Sequence, residues 1–177
     1  MKASRLIKIG QKKLSLNGIK TPSLDSRILL SYVLKLQNQL FDLEQEITSN
    51  QKILFEKILN TRIQGKPVSR IINKRSFWKN EFYINSHTLD PRPDSETIVE
   101  NALEIINNLN EFEIKVLELG TGSGCLILSI LKEFNNVKGL ATDISIEAIK
   151  VAKKNSKRLN IENKLKFIVC DWCESIN

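Results

Sequence analysis

Glu118, the loop Gly120-Thr121-Gly122-Ser123-Gly124 and Asp143 have the residue types and spacing to hold a nucleoside-bearing ligand. An apolar run, Val116-Leu117-Glu118-Leu119, leads into the loop, and a helix-like segment connects it to a second apolar run ending on Asp143. Strand, glycine loop, helix, strand and acid form the first βαβ unit of a nucleotide-binding sheet. Glycines let the backbone turn tightly and let a ligand approach with no Cβ in the way. An acid 23 residues beyond Gly120 is placed to accept hydrogen bonds from ribose hydroxyls. Dinucleotide loops read G-x-G-x-x-G, whereas this one reads Glu118-x-Gly120-x-Gly122-x-Gly124, the form of S-adenosylmethionine (SAM) sites. The bland alternative is a plain strand-to-helix turn, against which the two acids at their spacing weigh.

These residues need a sheet to hold them. The pattern predicts strand 115–119, helix 124–134, strand 138–142, helix 145–159 and strand 165–170. Right-handed crossovers then give a parallel sheet of order 3-2-1, with ligand bound beyond the strands' carboxyl ends. Gly120–Gly124, Asp143 and Asp171-Trp172 would converge there. In the second of these helices Ala148, Ile149, Ala152, Ser156 and Leu159 form the inward stripe, and Lys150, Lys153, Lys154, Lys157 and Arg158 form a solvated face.

Upstream, residues 1–66 read as a helical bundle. Leu6, Ile7, Gly10 and Leu14 share a face that Gly18 ends, and Thr21-Pro22-Ser23 opens a helix carrying Leu24, Ile28, Leu29 and Tyr32. Leu36, Leu40, Phe41 and Leu43 predict a short third helix. Thr48 with Gln51 fits a capping box, and the helix it starts runs through Leu54, Ile58 and Leu59 to Gly65. Residues 67–90 are β-prone at Val68, Ile71, Ile72, Phe77, Trp78, Phe82, Tyr83 and Ile84, and predict a hairpin linker. Residues 91–177 follow as the ligand-binding domain, opened by a helix that Asp94 or Ser95 caps. The expected class is α/β: a helical bundle joined by a β-hairpin to the first half of a Rossmann-like sheet.

Composition narrows the setting. The 177 residues are 41% hydrophobic and 27% charged, as in globular domains. There is no apolar span of about 18 residues and no signal-like start, so a cytoplasmic protein without membrane contact is expected. Cys125, Cys170, Cys173 and the single His87 do not make a metal set, and Cys170 reads as a small apolar residue on a strand. Net charge is +9 over residues 1–90 and −2 over 91–177. A basic half could meet RNA or a ribosome-bound partner, but a Lys/Asn/Ile-rich coding bias is the stronger explanation, and nucleic-acid contact is not expected. No RNA-binding motif or aromatic platform accompanies it.

Several motifs in order resemble one family. Gly65-Lys66-Pro67-Val68-Ser69-Arg70-Ile71, Phe77-Trp78, Leu89-Asp90-Pro91-Arg92-Pro93-Asp94-Ser95-Glu96-Thr97, the glycine loop and Asp171-Trp172 are similar to those of release factor glutamine methyltransferases, the PrmC/HemK family. The resemblance covers nearly the whole chain and implies SAM-dependent N5-methylation of the glutamine in the Gly-Gly-Gln loop of class I peptide chain release factors. It implies that Gly120, Thr121, Gly122, Ser123 and Gly124 lie against the cofactor's methionine and ribose, that Asp143 holds the ribose hydroxyls, and that Asp171 and Trp172 border the adenine. Arg92 and Glu96 match family positions near the site without an assigned role.

The sequence departs from the family in one respect above all. The family's Asn-Pro-Pro-Tyr, expected a short distance past Asp-Trp, does not occur among the 177 residues. A carboxamide nitrogen is a poor nucleophile because its lone pair is delocalised, so transfer needs it held in line with the methyl by acceptors of the kind that motif supplies. The expectation is a truncated chain with no catalytic residues, inactive alone and poorly stable in its C-terminal half, where strand 115–119 would be an exposed edge. The alternative is a non-catalytic fragment or split-gene subunit that binds a release factor or a complementing C-terminal chain. A SAM enzyme acting on RNA fits the upstream Pro-Arg-Pro segment and bundle less well. Lesser departures are Asn73 and Lys79, where the family often has glycine.

Overall fold

The computed structural model describes residues 1–36, 42–109 and 111–174, which fall into two units, Met1–Ile72 and Asn73–Asn177.

In the first unit, apolar residues at helical spacing build one core. α1 (Ala3–Leu16) buries Ala3, Leu6, Ile7, Gly10 and Leu14. A Cβ on Gly10 would lie 2.5 Å from Ser26 Oγ and 2.9 Å from Phe55 Cζ, so glycine is what lets α1 approach its neighbours. α2 (Pro22–Val33) turns Ser26, Leu29, Leu30 and Val33 inward, while the expected core residues Leu24 and Tyr32 are exposed. The stripe is rotated because polar residues on the buried face have partners. Ser26 donates to the Ile7 carbonyl at 3.0 Å, and Asp25 accepts from Thr21 Oγ1 at 2.8 Å and from Arg62 Nε at 2.7 Å. α3 (Ser49–Ile63) begins with the Thr48–Gln51 capping box and buries Phe55 and Leu59. The short helix expected around Leu36–Leu43 falls mainly on residues 37–41, outside the described residues.

Val68–Ile72, β-prone by composition, is a short helix, α4. Pro67 starts it, its carbonyl accepting from the amides of Arg70 and Ile71, and Val68, Ile71 and Ile72 pack on the helical core. Tertiary packing overrides β propensity here.

The second unit opens with the hairpin β1 (Lys74–Phe77) and β2 (Asn80–Tyr83), paired Phe77↔Asn80 across Trp78-Lys79. Trp78, with φ +52°, takes the left-handed conformation in that turn. Glu96 holds it there by accepting from the Trp78 backbone amide at 2.9 Å, and the Trp78 indole donates to Glu133 at 2.9 Å. Arg75 Nε donates to the Pro91 carbonyl at 3.1 Å, so the Pro-Arg-Pro segment is stitched to β1. A 3₁₀ turn (Pro93–Ser95) precedes α5 (Glu96–Asn108), where neither Asp94 nor Ser95 makes the side-chain cap that was expected.

β3 (Ile114–Leu119), α6 (Cys125–Glu133), β4 (Val137–Asp143), α7 (Ile146–Arg158) and β5 (Leu165–Val169) alternate as predicted. The three strands form a parallel sheet ordered β3-β4-β5, in register Leu119↔Thr142 and Asp143↔Val169. Val99 and Ile106 of α5, Ile127, Leu128 and Leu131 of α6, Ala141 and Leu165 share its core with Phe77 and Phe82. Among the described residues β3 pairs with no strand on its other side, and Leu117 is half exposed. No described helix is long and apolar enough to cross a membrane.

The Asp25–Arg62 pair is the first unit's most sequestered charge, with side chains 7% and 19% exposed. Arg62→Ala strands a buried carboxylate and is expected to destabilise this unit by about 3 kcal/mol. Urea unfolding followed by far-UV circular dichroism checks it, and a loss within experimental error of zero refutes it.

Candidate functional site

Parallel register brings the carboxyl ends of β3, β4 and β5 to one edge, and each end is followed by a segment the sequence singled out. After β3 the chain turns through Gly120 (φ +71°), Gly122 (φ +55°) and Gly124 (φ +78°). A Cβ on Gly120 or Gly122 would meet nothing within 4 Å, so open space borders the backbone there. Gly124 is needed for a second reason. It is the N-cap of α6, and a Cβ on it would lie 2.8 Å from Leu128 Cδ1 and 3.3 Å from Ala152 Cβ.

β4 pins this loop twice. The Thr121 amide donates to the Thr142 carbonyl at 2.8 Å, and the Gly122 amide donates to Asp143 Oδ2 at 2.8 Å. Asp143 Oδ1 accepts from the Ser145 amide at 2.9 Å. The carboxylate thus sits on the same rim as the loop, each oxygen holding one backbone amide and keeping acceptor capacity for a further donor. Ser145 in turn caps α7 by accepting from the Ala148 amide at 3.2 Å.

Beyond β5, the Cys170 amide donates to the Asp143 carbonyl at 3.2 Å. Trp172, with φ +45°, is 70% exposed, and its carbonyl accepts from Thr142 Oγ1 at 3.2 Å and from Cys170 Sγ at 3.3 Å. These two donors hold an unfavourable conformation for a bulky residue and leave the indole outside the packed core. Asp171 beside it is exposed.

Glu118, at the base of the loop, accepts from the Thr121 hydroxyl. Burial pushes its carboxyl up to about 7. The Thr121 hydroxyl and the Ile127 amide oppose that rise, and the nearby Asp143 charge adds to it. Burial likewise pushes the Cys125 thiol up to about 11, which favours the protonated form at neutral pH. Among the described residues no cluster of three His, Cys, Asp or Glu could hold a metal.

The structure adds a residue to those singled out from sequence. Asn155 of α7 is 1% exposed and bonds both to the loop, at the Ser123 carbonyl, and to β2, at Tyr83. Its signal was available: position 155 lies seven beyond Ala148 and three beyond Ala152, on the stripe that points inward, yet carries a carboxamide. The roles of Arg92 and Glu96 also separate here. Glu96 fixes the hairpin turn, and Arg92 is exposed, just before the 3₁₀ turn.

Comparison with known proteins gives two separate matches, with residues 73–109 between them. Residues 5–72 match the PrmC N-terminal domain, and residues 110–177 match a methyltransferase domain. The chain is 36% identical to the bifunctional methyltransferase of Rickettsia prowazekii, over 93% of this chain and 35% of that one. It is 34% identical to the release factor glutamine methyltransferase of Rhodospirillum rubrum, over 97% of this chain and 53% of that one. A solved SAM-dependent methyltransferase from Agrobacterium tumefaciens is similar over 57% of this chain and 33% of its own, at 20% identity and a TM-score of 0.49. The chain therefore spans about half the length of the release factor methyltransferase and about a third of the bifunctional enzyme.

The raised carboxyl of Glu118 has a measurable consequence. The fold favours its neutral form, so its contribution is complete below pH 4.5 and is lost as pH rises to about 7. Glu118→Gln should remove that slope. Denaturant unfolding at stepped pH is expected to show the unsubstituted chain losing stability relative to the variant across this window, and parallel profiles would refute the assignment.

Proposed function

We infer that this chain belongs with the release factor glutamine methyltransferases and forms the methyl-donor half of a SAM-dependent protein methyltransferase whose substrate is the glutamine of a class I release factor's Gly-Gly-Gln loop. The observation that carries the reading is the meeting of Asp143 with Gly122 at 2.8 Å, in a chain that places a PrmC N-terminal domain before a methyltransferase domain.

The residues present fit the cofactor. Open space beside Gly120 and Gly122 admits a ligand to the backbone, and Asp143 retains acceptor capacity toward ribose hydroxyls. The exposed Trp172 indole and Asp171 would border the adenine. Glu118 and Asp143 are two acids at this loop, and a bound donor carrying a sulfonium charge would favour ionisation of Glu118. When bound, SAM supplies an electrophilic methyl on a positively charged sulfur. The chain's own part would be to bind and orient: β4 holds the loop, and the loop with Asp143 would hold the nucleoside.

The acceptor side needs groups that take the carboxamide's N–H bonds so that its nitrogen lies in line. No Asn-Pro-Pro-Tyr stands among the 177 residues to do this. The reading is accordingly a donor cradle that requires a polypeptide segment carrying those acceptors, whether in the same product or in a separate chain.

Binding of SAM by the 177-residue chain, followed by ligand-observed NMR, tests this. Asp143→Asn keeps an acceptor oxygen and removes the charge, and should weaken binding by about ten-fold, the scale of one charged hydrogen bond. Equal binding by both chains overturns the role of Asp143, and methyl transfer to a release factor by the 177-residue chain alone overturns the division into halves.

A further inference from the structure

The loop's third attachment comes from α7, and it uses a side chain that the proposed cofactor contacts leave out. Asn155 Nδ2 donates to the Ser123 carbonyl and to the Tyr83 carbonyl, each at 2.9 Å, and its Oδ1 accepts from the Tyr83 amide at 2.8 Å. The carboxamide can be oriented in only one way, because a flip would set its oxygen against two carbonyls. Toward β2 it behaves as a one-residue strand partner, satisfying both backbone groups of Tyr83 on the side away from Lys74. Toward the loop it donates to the carbonyl of Ser123, a residue only 3% exposed. A buried carbonyl stripped of its donor is left unsatisfied, which would drive the loop to seek another conformation.

The position of this bond in the loop matters. Thr121 and Gly122 are tied to β4, and Gly124 is tied to Thr121 and packed against Leu128 and Ala152. Ser123 lies between them, where the chain reverses to start α6. Rotation of its peptide would swing the Gly124 amide and alter the surface beside Gly122.

We propose that Asn155 is the positioning residue of the cofactor loop, its buried carboxamide locking the Ser123 peptide to the hairpin strand β2 so that the loop is preorganised for the methyl donor. This rests on the SAM reading above and adds to it a route from hairpin to loop: whatever displaces Tyr83 also displaces Ser123. Preorganisation of this kind raises affinity by removing an ordering cost from the binding step.

The test uses the 177-residue chain with S-adenosylhomocysteine as probe, and three variants: Asn155→Ala, Asn155→Asp, and Val99→Ala as a core-destabilised control remote from the loop in sequence. Asn155→Ala should weaken binding by at least about ten-fold, the loss expected for one buried hydrogen bond. It should also speed hydrogen exchange at Thr121, Gly122 and Gly124 while Leu140 and Ala141 of β4 stay protected. Val99→Ala should change neither selectively. Asn155→Asp separates positioning from packing, since a protonated carboxyl can donate to one carbonyl and a carboxylate to none. Its affinity relative to the unsubstituted chain should therefore recover at low pH and fall as pH rises. Affinity retained within about two-fold, or uniform loss of protection across the sheet, or a pH-independent Asn155→Asp ratio, overturns the proposal. If the unsubstituted chain binds no S-adenosylhomocysteine, the cofactor reading fails by itself. Exchange in ligand-free protein then decides the clamp: selective opening of the loop supports it and uniform opening overturns it.

Discussion

A turn from a buried strand into a buried helix must expose backbone to a ligand without leaving polar groups unpaired in the interior, and the chain between Leu119 and Cys125 is built around that constraint. Three glycines take left-handed conformations, and the loop's inward groups find partners at the Thr142 carbonyl, the Asp143 carboxylate and the Asn155 carboxamide. Asp143 is the pivot. One oxygen holds the loop, the other holds the amide that enters α7, and its own carbonyl receives the Cys170 amide beyond β5. A single residue thus sets three chain segments relative to one another at the strand ends.

The hairpin has a corresponding logic. Its tip is fixed by Glu96, Glu133 and Lys79, the last within 2.9 Å of Glu133. Its far end, at Tyr83, is fixed by Asn155, and Lys154 lies 3.4 Å over the Tyr83 ring. Phe77 and Phe82, edge to face at 6.2 Å, anchor its middle in the sheet's core. The Pro-Arg-Pro segment and the Trp of Phe-Trp, which carry the resemblance in sequence, are here parts of one scaffold around the start of α5.

Much of this was readable residue by residue. The capping box at Thr48 follows from neighbours three positions apart, while the parallel order and the meeting of the glycine loop with Asp143, 21 positions beyond Gly122, follow from strand-helix alternation and a right-handed crossover within one βαβ unit. The errors share a cause. Val68–Ile72 is β-prone yet helical because Pro67 and the helical core decide it, and the α2 stripe is rotated because Asp25 finds Arg62 thirty-seven residues later. Asn155 lies on the buried stripe, but its role is invisible to local pattern because its partners are 72 and 32 positions distant.

Local chemistry along the chain settles which segments turn, which alternate, and which acids stand after strands. Long-range packing settles protonation, orientation and pairing: a pKa of about 7 at Glu118, the exposed indole of Trp172, and the carboxamide that joins Tyr83 to Ser123. The division is physical. Backbone propensity acts over a turn or a pleat, whereas desolvation and buried hydrogen bonds exist only once segments remote in the chain have closed around them.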